Sequence, residues 1–128
     1  MEKWLGPFSP MIYTLLRIVA GLVFAQHGAQ KLFGLLGGRQ MELMSQMGVA
    51  GVIEFFGGLA IAVGLFTSPL AFLASGEMAW AYFQVHAPRS FWPIVNGGEM
   101  AVLCCWIFLY LAARGGGQLS VDRMMKRK

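Results

Sequence analysis

A chain of 128 residues that is 57% hydrophobic and only 12% charged, with a mean hydropathy of +0.61, is too apolar for an ordinary soluble domain and reads as an integral membrane protein. The net charge of +4 does not point to nucleic acid, because most of the surplus sits in the closing VDRMMKRK with no aromatic residue among the cations. A basic cytoplasmic tail explains it more simply.

The first apolar run covers about 10–33, with Ser9 and Pro10 suited to a helix start and Gly34 to its end. It carries an arginine, a histidine and a lysine. At about 100° per residue, Arg17, Gly21, Phe24, Gly28 and Lys31 share a stripe, and His27 lies on the adjoining face. A charge at the centre of a bilayer costs about 2.5–3.5 kcal/mol on insertion scales, so this stripe must face other helices or a wet cavity. Lys3 before the run and Val23-Phe24-Ala25 within it loosely resemble a cleavable signal, but Arg17 inside the would-be apolar region argues against cleavage.

The polar segment 37–48, GGRQMELMSQMG, spaces Met41, Met44 and Met47 along one edge and is expected to form a short interfacial helix. Two apolar spans follow, at 49–66 and 69–86, separated by Thr67-Ser68-Pro69 and therefore antiparallel neighbours. The stretch HAPRSFWPIVN then reads as an interfacial loop. A fourth span covers 96–113, with Asn96 expected to cap it and Glu99 in its first turn, before the basic tail 114–128. Cys104 and Cys105, adjacent within this span, match neither a zinc spacing nor a disulfide framework and are read as small core residues.

The expected fold is thus all-α, a single polytopic domain of four transmembrane helices. Lys3, Arg114, Arg123, Lys126, Arg127 and Lys128 fall on one side, against Lys31, Arg39 and Arg89 on the other, which puts both termini in the cytoplasm. His27, Lys31, Glu54, His86, Asn96 and Glu99 then share the outer leaflet. Glu54, Glu77 and Glu99 lie within the last three spans and supply acids for the cations of the first, with Arg17 and Glu77 close enough in depth to form a structural pair. Each helical hairpin has a histidine late in its first helix and a glutamate early in its second, a weak repeat that pairs His27 with Glu54 and His86 with Glu99.

These groups can act as structural glue that fixes helix register, or they can carry chemistry. A metal held by His27, Glu54, His86 and Glu99 lacks the ligand spacing of known bundle sites, so no metal is assigned, and haem held by the two histidines is the weaker variant.

The segments LRIVAGLVFAQHGAQKLFG, GVIEFFGGLAIAVGLFTSPLA, the Glu77-Met78-Ala79 span ending at His86, and FWPIVNGGEMAVL together resemble the DoxX family of small four-helix bacterial membrane proteins. That resemblance implies an inner-membrane protein, some of whose relatives are tied to quinone-linked sulfur oxidation, quinol oxidation or complexes that handle oxidative stress. On this footing the chain is expected to be a membrane subunit of a quinone-linked redox system, with His27, Glu54 and Glu99 as catalytic proton carriers. Lys31, His86, Trp92 and Asn96 are expected to contact the quinone or another small ligand. No flavin, haem or iron–sulfur motif is present, so electrons would come from a protein partner or a thiol donor. The lipid bilayer is the other partner, a homo-oligomer is open, and no nucleic acid is expected. The competing readings are a non-catalytic assembly subunit and, behind it, a small transporter built on the two hairpins.

Overall fold

The computed structural model describes residues 1–126 and is all-α; Arg127 and Lys128, counted above with the tail cations, lie outside the described residues. A short helix α1 (Glu2–Leu5) and a 3-10 turn (Gly6–Phe8) lead into α2 (Ser9–Phe33). Then come α3 (Gln46–Val63) and α4 (Thr67–Ala81), which continues as a π-helical turn (Tyr82–His86). The short α5 (Pro93–Asn96), α6 (Glu99–Arg114) and α7 (Val121–Lys126) complete the described chain. Two stretches, Glu2–Phe33 and Gln46–Val63, are long and apolar enough to cross a membrane.

The helix ends follow local chemistry, with three corrections to expectation. Ser9 begins α2 without capping it, because Ser9 is already helical at φ −51° and ψ −43° and Phe8 takes the N-cap position. The helix expected over 37–48 does not form. Ser45 instead caps α3 by accepting the Gly48 amide at 3.1 Å, the Met41 amide donates to the Lys31 carbonyl at 2.7 Å, and Met44 is 90% exposed. Asn96 is not the cap of α6 either: it closes α5, and α6 starts at Glu99 after Gly97 turns the chain at φ 75°.

Packing is uneven. α2 lies most extensively on α3, and α4 on α6, so the molecule is two tight antiparallel pairs joined by lighter contacts between α3 and α4 and between α2 and α6. The α2–α3 pair is backbone on backbone. A Cβ built at Gly21 would sit 2.6 Å from the Ala62 nitrogen and the Gly58 oxygen; one at Gly58 would sit 2.5 Å from the Ala25 nitrogen and the Gly21 oxygen. Gly28 meets the Phe55 and Gly51 backbone in the same way. Small residues permit this approach, and no larger side chain could replace them. Phe24, Ile61, Phe108 and Leu111 fill the centre, with the Phe24 and Phe108 rings 4.8 Å apart, and Cys104 packs against this core.

One end of the bundle is closed by the chain after α6. Arg17, 1% exposed, donates to the carbonyls of Ala62 (3.2 Å), Leu119 (2.7 Å) and Gly116. The Ala62 carbonyl belongs to the last turn of α3, where helix geometry leaves acceptors unpaired. The expected Arg17–Glu77 pair is therefore absent: the two terminal guanidinium nitrogens find backbone acceptors at their own end, leaving Nε without a partner, and Glu77 lies towards the other. Asp122 completes the closure by accepting the Phe66 amide at 2.7 Å and the Thr67 amide at 2.9 Å, capping α4 from the far end of the chain. Burial alone would raise its pKa, but the Thr67 and Phe66 donors outweigh it and hold the carboxyl below the usual carboxylate range.

Replacing Gly28 by Ala should destabilise the protein by about 1–3 kcal/mol, since the backbone of α3 must move. Gly57→Ala, where an added Cβ meets nothing within 4 Å, should be neutral or slightly stabilising, and denaturant titration of the purified proteins followed by circular dichroism compares the two. Asp122→Ala should cost about 0.5–2 kcal/mol through the lost cap. Because the folded carboxyl titrates below its unfolded value of about 3.9, that contribution is present above about pH 4 and lost as pH falls through the folded value. Melting temperatures of wild type and variant should accordingly converge in acid.

Candidate functional site

The opposite end of the bundle is open and polar. There α2 ends, α3 begins, α4 passes into its π-helical turn and α6 begins, so four backbone segments converge on a cavity of about 400 Å³. His27 and Lys31 enter from α2, Glu54 from α3, Glu77 from α4, His86 from the π-helical turn, and Met100 from α6. The register of the glycine contact explains the first part of this set. With Gly28 against Phe55 and Gly51 against the Lys31 side chain, Lys31 faces Glu54 one turn further along.

Lys31 Nζ lies 2.5 Å from Glu54 Oε1, a charge-assisted bond and the one ion pair among the described residues. The Glu54 side chain is almost wholly enclosed, whereas that of Lys31 remains 20% exposed. Its second oxygen, Oε2, is buried with no partner, and so are both carboxyl oxygens of Glu77. Buried polar atoms are ordinarily satisfied, so three orphaned acceptor atoms on one cavity mark a place prepared for a ligand, a proton or water.

The histidines differ in attachment. His86 Nδ1 is 3.2 Å from the Asn96 carbonyl; a carbonyl only accepts, so Nδ1 carries the proton and Nε2 keeps a lone pair. His27 is exposed, with Nε2 3.2 Å from the Met100 sulfur, a weak partner that leaves the ring free to be recruited.

The expected site residues separate into two groups. His27, Lys31, Glu54 and His86 are brought together on the cavity. Asn96 is not on it: its amide donates to the Ser90 carbonyl at 2.7 Å and the Tyr82 hydroxyl at 3.3 Å, and its oxygen accepts the Gly98 amide at 2.7 Å. With those bonds made, Asn96 locks the loop before α6. Trp92 lies in a separate apolar groove with Tyr82, Phe83, Phe91, Pro93 and Trp106, facing its neighbour Phe91 edge-on. Glu99 is exposed in the first turn of α6 and does not line the cavity, so the expected His86–Glu99 match is not assembled and the two-hairpin echo fails in its second half.

Three residues join the site that periodicity did not assign to it. Glu77 replaces Glu99 as the second acid; its mid-span position signalled importance, but matching by depth sent it to Arg17. Trp80 and Met100 also border the cavity. Trp80 is one turn beyond Glu77 on α4, a spacing that could have joined them.

A Lys31→Met change leaves Glu54 enclosed without its cation and should cost about 3 kcal/mol or more, as breaking buried pairs does. The double replacement Lys31→Met with Glu54→Met should recover most of that loss. A thermal-stability cycle in one detergent measures the coupling; additive single effects would contradict the pairing.

The DoxX family model matches residues 12–87, the stretch from α2 to the π-helical turn. The chain is 37% identical to an uncharacterized protein of Haemophilus influenzae, with 97% of this chain and 98% of that protein covered. It is 32% identical to Inner membrane protein YqjF of Escherichia coli, with 88% of this chain and 90% of that protein covered. No solved structure matches it.

Proposed function

The chain belongs to the DoxX family, and from that footing we propose that it is an inner-membrane subunit of a quinone-linked redox system, with the polar cavity as its headgroup site. The single observation that carries this reading is the Lys31–Glu54 pair on a cavity of about 400 Å³ that also takes in Glu77 and His86. The fold belongs to the proposal too: a single domain with four spans, α2, α3, α4 with its π-helical turn, and α6. The 16 residues of α6 extend about 24 Å at 1.5 Å each, short of a hydrocarbon core of about 30 Å unless flanking residues or a thinned bilayer make up the difference. The cation-rich end carrying Lys3, Arg114 and Arg123 is cytoplasmic on this reading, which turns the cavity to the outer leaflet.

The donor set fits a ligand with two carbonyl oxygens. Lys31 has ammonium protons beyond the one given to Glu54 and can donate to one oxygen. His86 Nε2, with Nδ1 held by the Asn96 carbonyl, can take up a proton from water and pass it to the second oxygen as the quinone is reduced. A quinone bound there would supply the electron acceptor, while electrons would reach it from a protein partner or a diffusing thiol. Glu54 holds Lys31 in place, and His27 on the outer rim can exchange protons with water. Glu77 here takes a larger part than Glu99, because Glu99 is outside the cavity.

Purification from native membranes in mild detergent, followed by solvent extraction and absorption spectroscopy, should recover quinone in stoichiometric amount. Lys31→Ala and His86→Ala should reduce it to background in those preparations that keep their helical signal. Repeated preparations free of quinone, with no quinone-dependent activity, would leave the assembly-subunit reading in its place.

A further inference from the structure

Glu77 also borders a second opening. A cleft of about 360 Å³ between α3 and α4 is lined by Val49, Ala50, Ile53, Glu77 and Trp80 and opens on the side of the bundle, where Val49 and Trp80 are exposed. It shares Ala50, Glu77 and Trp80 with the polar cavity, so the carboxyl stands where the two spaces meet. This is the seam between the two tight helix pairs, where α3 and α4 pack lightly.

Charge is out of balance at this point. Lys31 from α2 is matched by Glu54 from α3, and the further titratable groups on the cavity are His27 from α2 and His86 from the π-helical turn. Neither histidine, nor any other donor among the described residues, bonds either oxygen of Glu77. An unpaired carboxylate out of water is costly, which leaves a proton or one positively charged ligand to neutralise it. The rest of the cleft is apolar apart from Gln46, and the Trp80 indole adds a π face of the kind that attracts organic cations.

We propose that the seam between α3 and α4 is a binding site for a hydrophobic monovalent organic cation, with Glu77 as its counter-ion and Trp80 as its aromatic wall, entered sideways from the bilayer. The cation and a proton compete for the same carboxyl. The site shares Glu77 and Trp80 with the polar cavity but does not require quinone at its Lys31 end, so either reading can be wrong without the other.

The test is equilibrium binding of tetraphenylphosphonium to the full-length protein in lipid nanodiscs, with empty nanodiscs subtracted. Binding should saturate at one per chain, release a proton into weakly buffered solution, and weaken up to tenfold per pH unit on the acid side, as displacement of one proton requires. Glu77→Gln should abolish saturable binding and its pH dependence. Trp80→Ala should weaken it several-fold, and Glu42→Gln, in the exposed loop before α3, should change nothing. If Glu77→Gln fails to fold, proton release by wild type still decides. Saturable binding without proton release, equal competition by neutral triphenylphosphine, or uptake no greater than that of empty nanodiscs would each overturn the proposal, whatever the quinone extraction finds.

Discussion

The close approach of the α2 and α3 backbones through Gly21, Gly28, Gly51 and Gly58 is the constraint on which the remaining structure depends. Without side chains between them, the two helices can settle only in a register that lets the glycines oppose one another's backbone. That register delivers the cations of α2 to acceptors at both ends. At one end Arg17 meets the final turn of α3, and at the other Lys31 meets Glu54. A shift of one turn would take the Ala62 carbonyl from Arg17 and Glu54 from Lys31. The glycines and the charges thus specify the same alignment by independent means, one steric and one electrostatic.

The two ends of the molecule solve the buried-charge problem differently. Arg17 is neutralised by no acid; it is solvated by backbone carbonyls, which converts the segment after α6 into part of the bundle. Asp122 does the converse, its carboxylate solvated by backbone amides at the start of α4. There the terminal guanidinium nitrogens and both Asp122 oxygens are engaged by backbone, and only Arg17 Nε and the Thr67 hydroxyl are left over, with no acid unpaired. At the cavity end, Glu54 Oε2, Glu77 and the histidine rings retain free bonding capacity. This asymmetry, more than the presence of charge, separates structural polar groups from those available for chemistry.

The helices are legible in the sequence because hydropathy and its breaks at Gly34, Thr67-Ser68-Pro69 and the triple glycine are local signals, and the observed ends fall within a few residues of them. The gathering of His27, Lys31, Glu54 and His86 is legible as well, since antiparallel helices of known order place those depths together. What escapes is whatever depends on a partner without a side-chain signature. Arg17 is bound by carbonyls of Gly116 and Leu119, and a carbonyl is common to every residue. Matching acid to base by depth therefore sent Glu77 to the wrong end of its span. Asn96 and Glu99 fail for a related reason: Asn96 is taken up by the Ser90 carbonyl, the Tyr82 hydroxyl and the Gly98 amide, and α6 starts at Glu99, which stands exposed in the first turn.

The bonds from Arg17 to Gly116 and Leu119 span 99 and 102 residues of chain, and this separation governs how the protein is made. At about 5–20 residues per second, the acceptors for the guanidinium leave the ribosome roughly 5–20 s after Arg17 itself. During that interval α2 is a helix whose charge lacks its final solvation. Two of its three carbonyl acceptors come from the last segment. Biosynthesis of this small protein is then gated by its end: the first helix is made early but completed only when the tail has been translated.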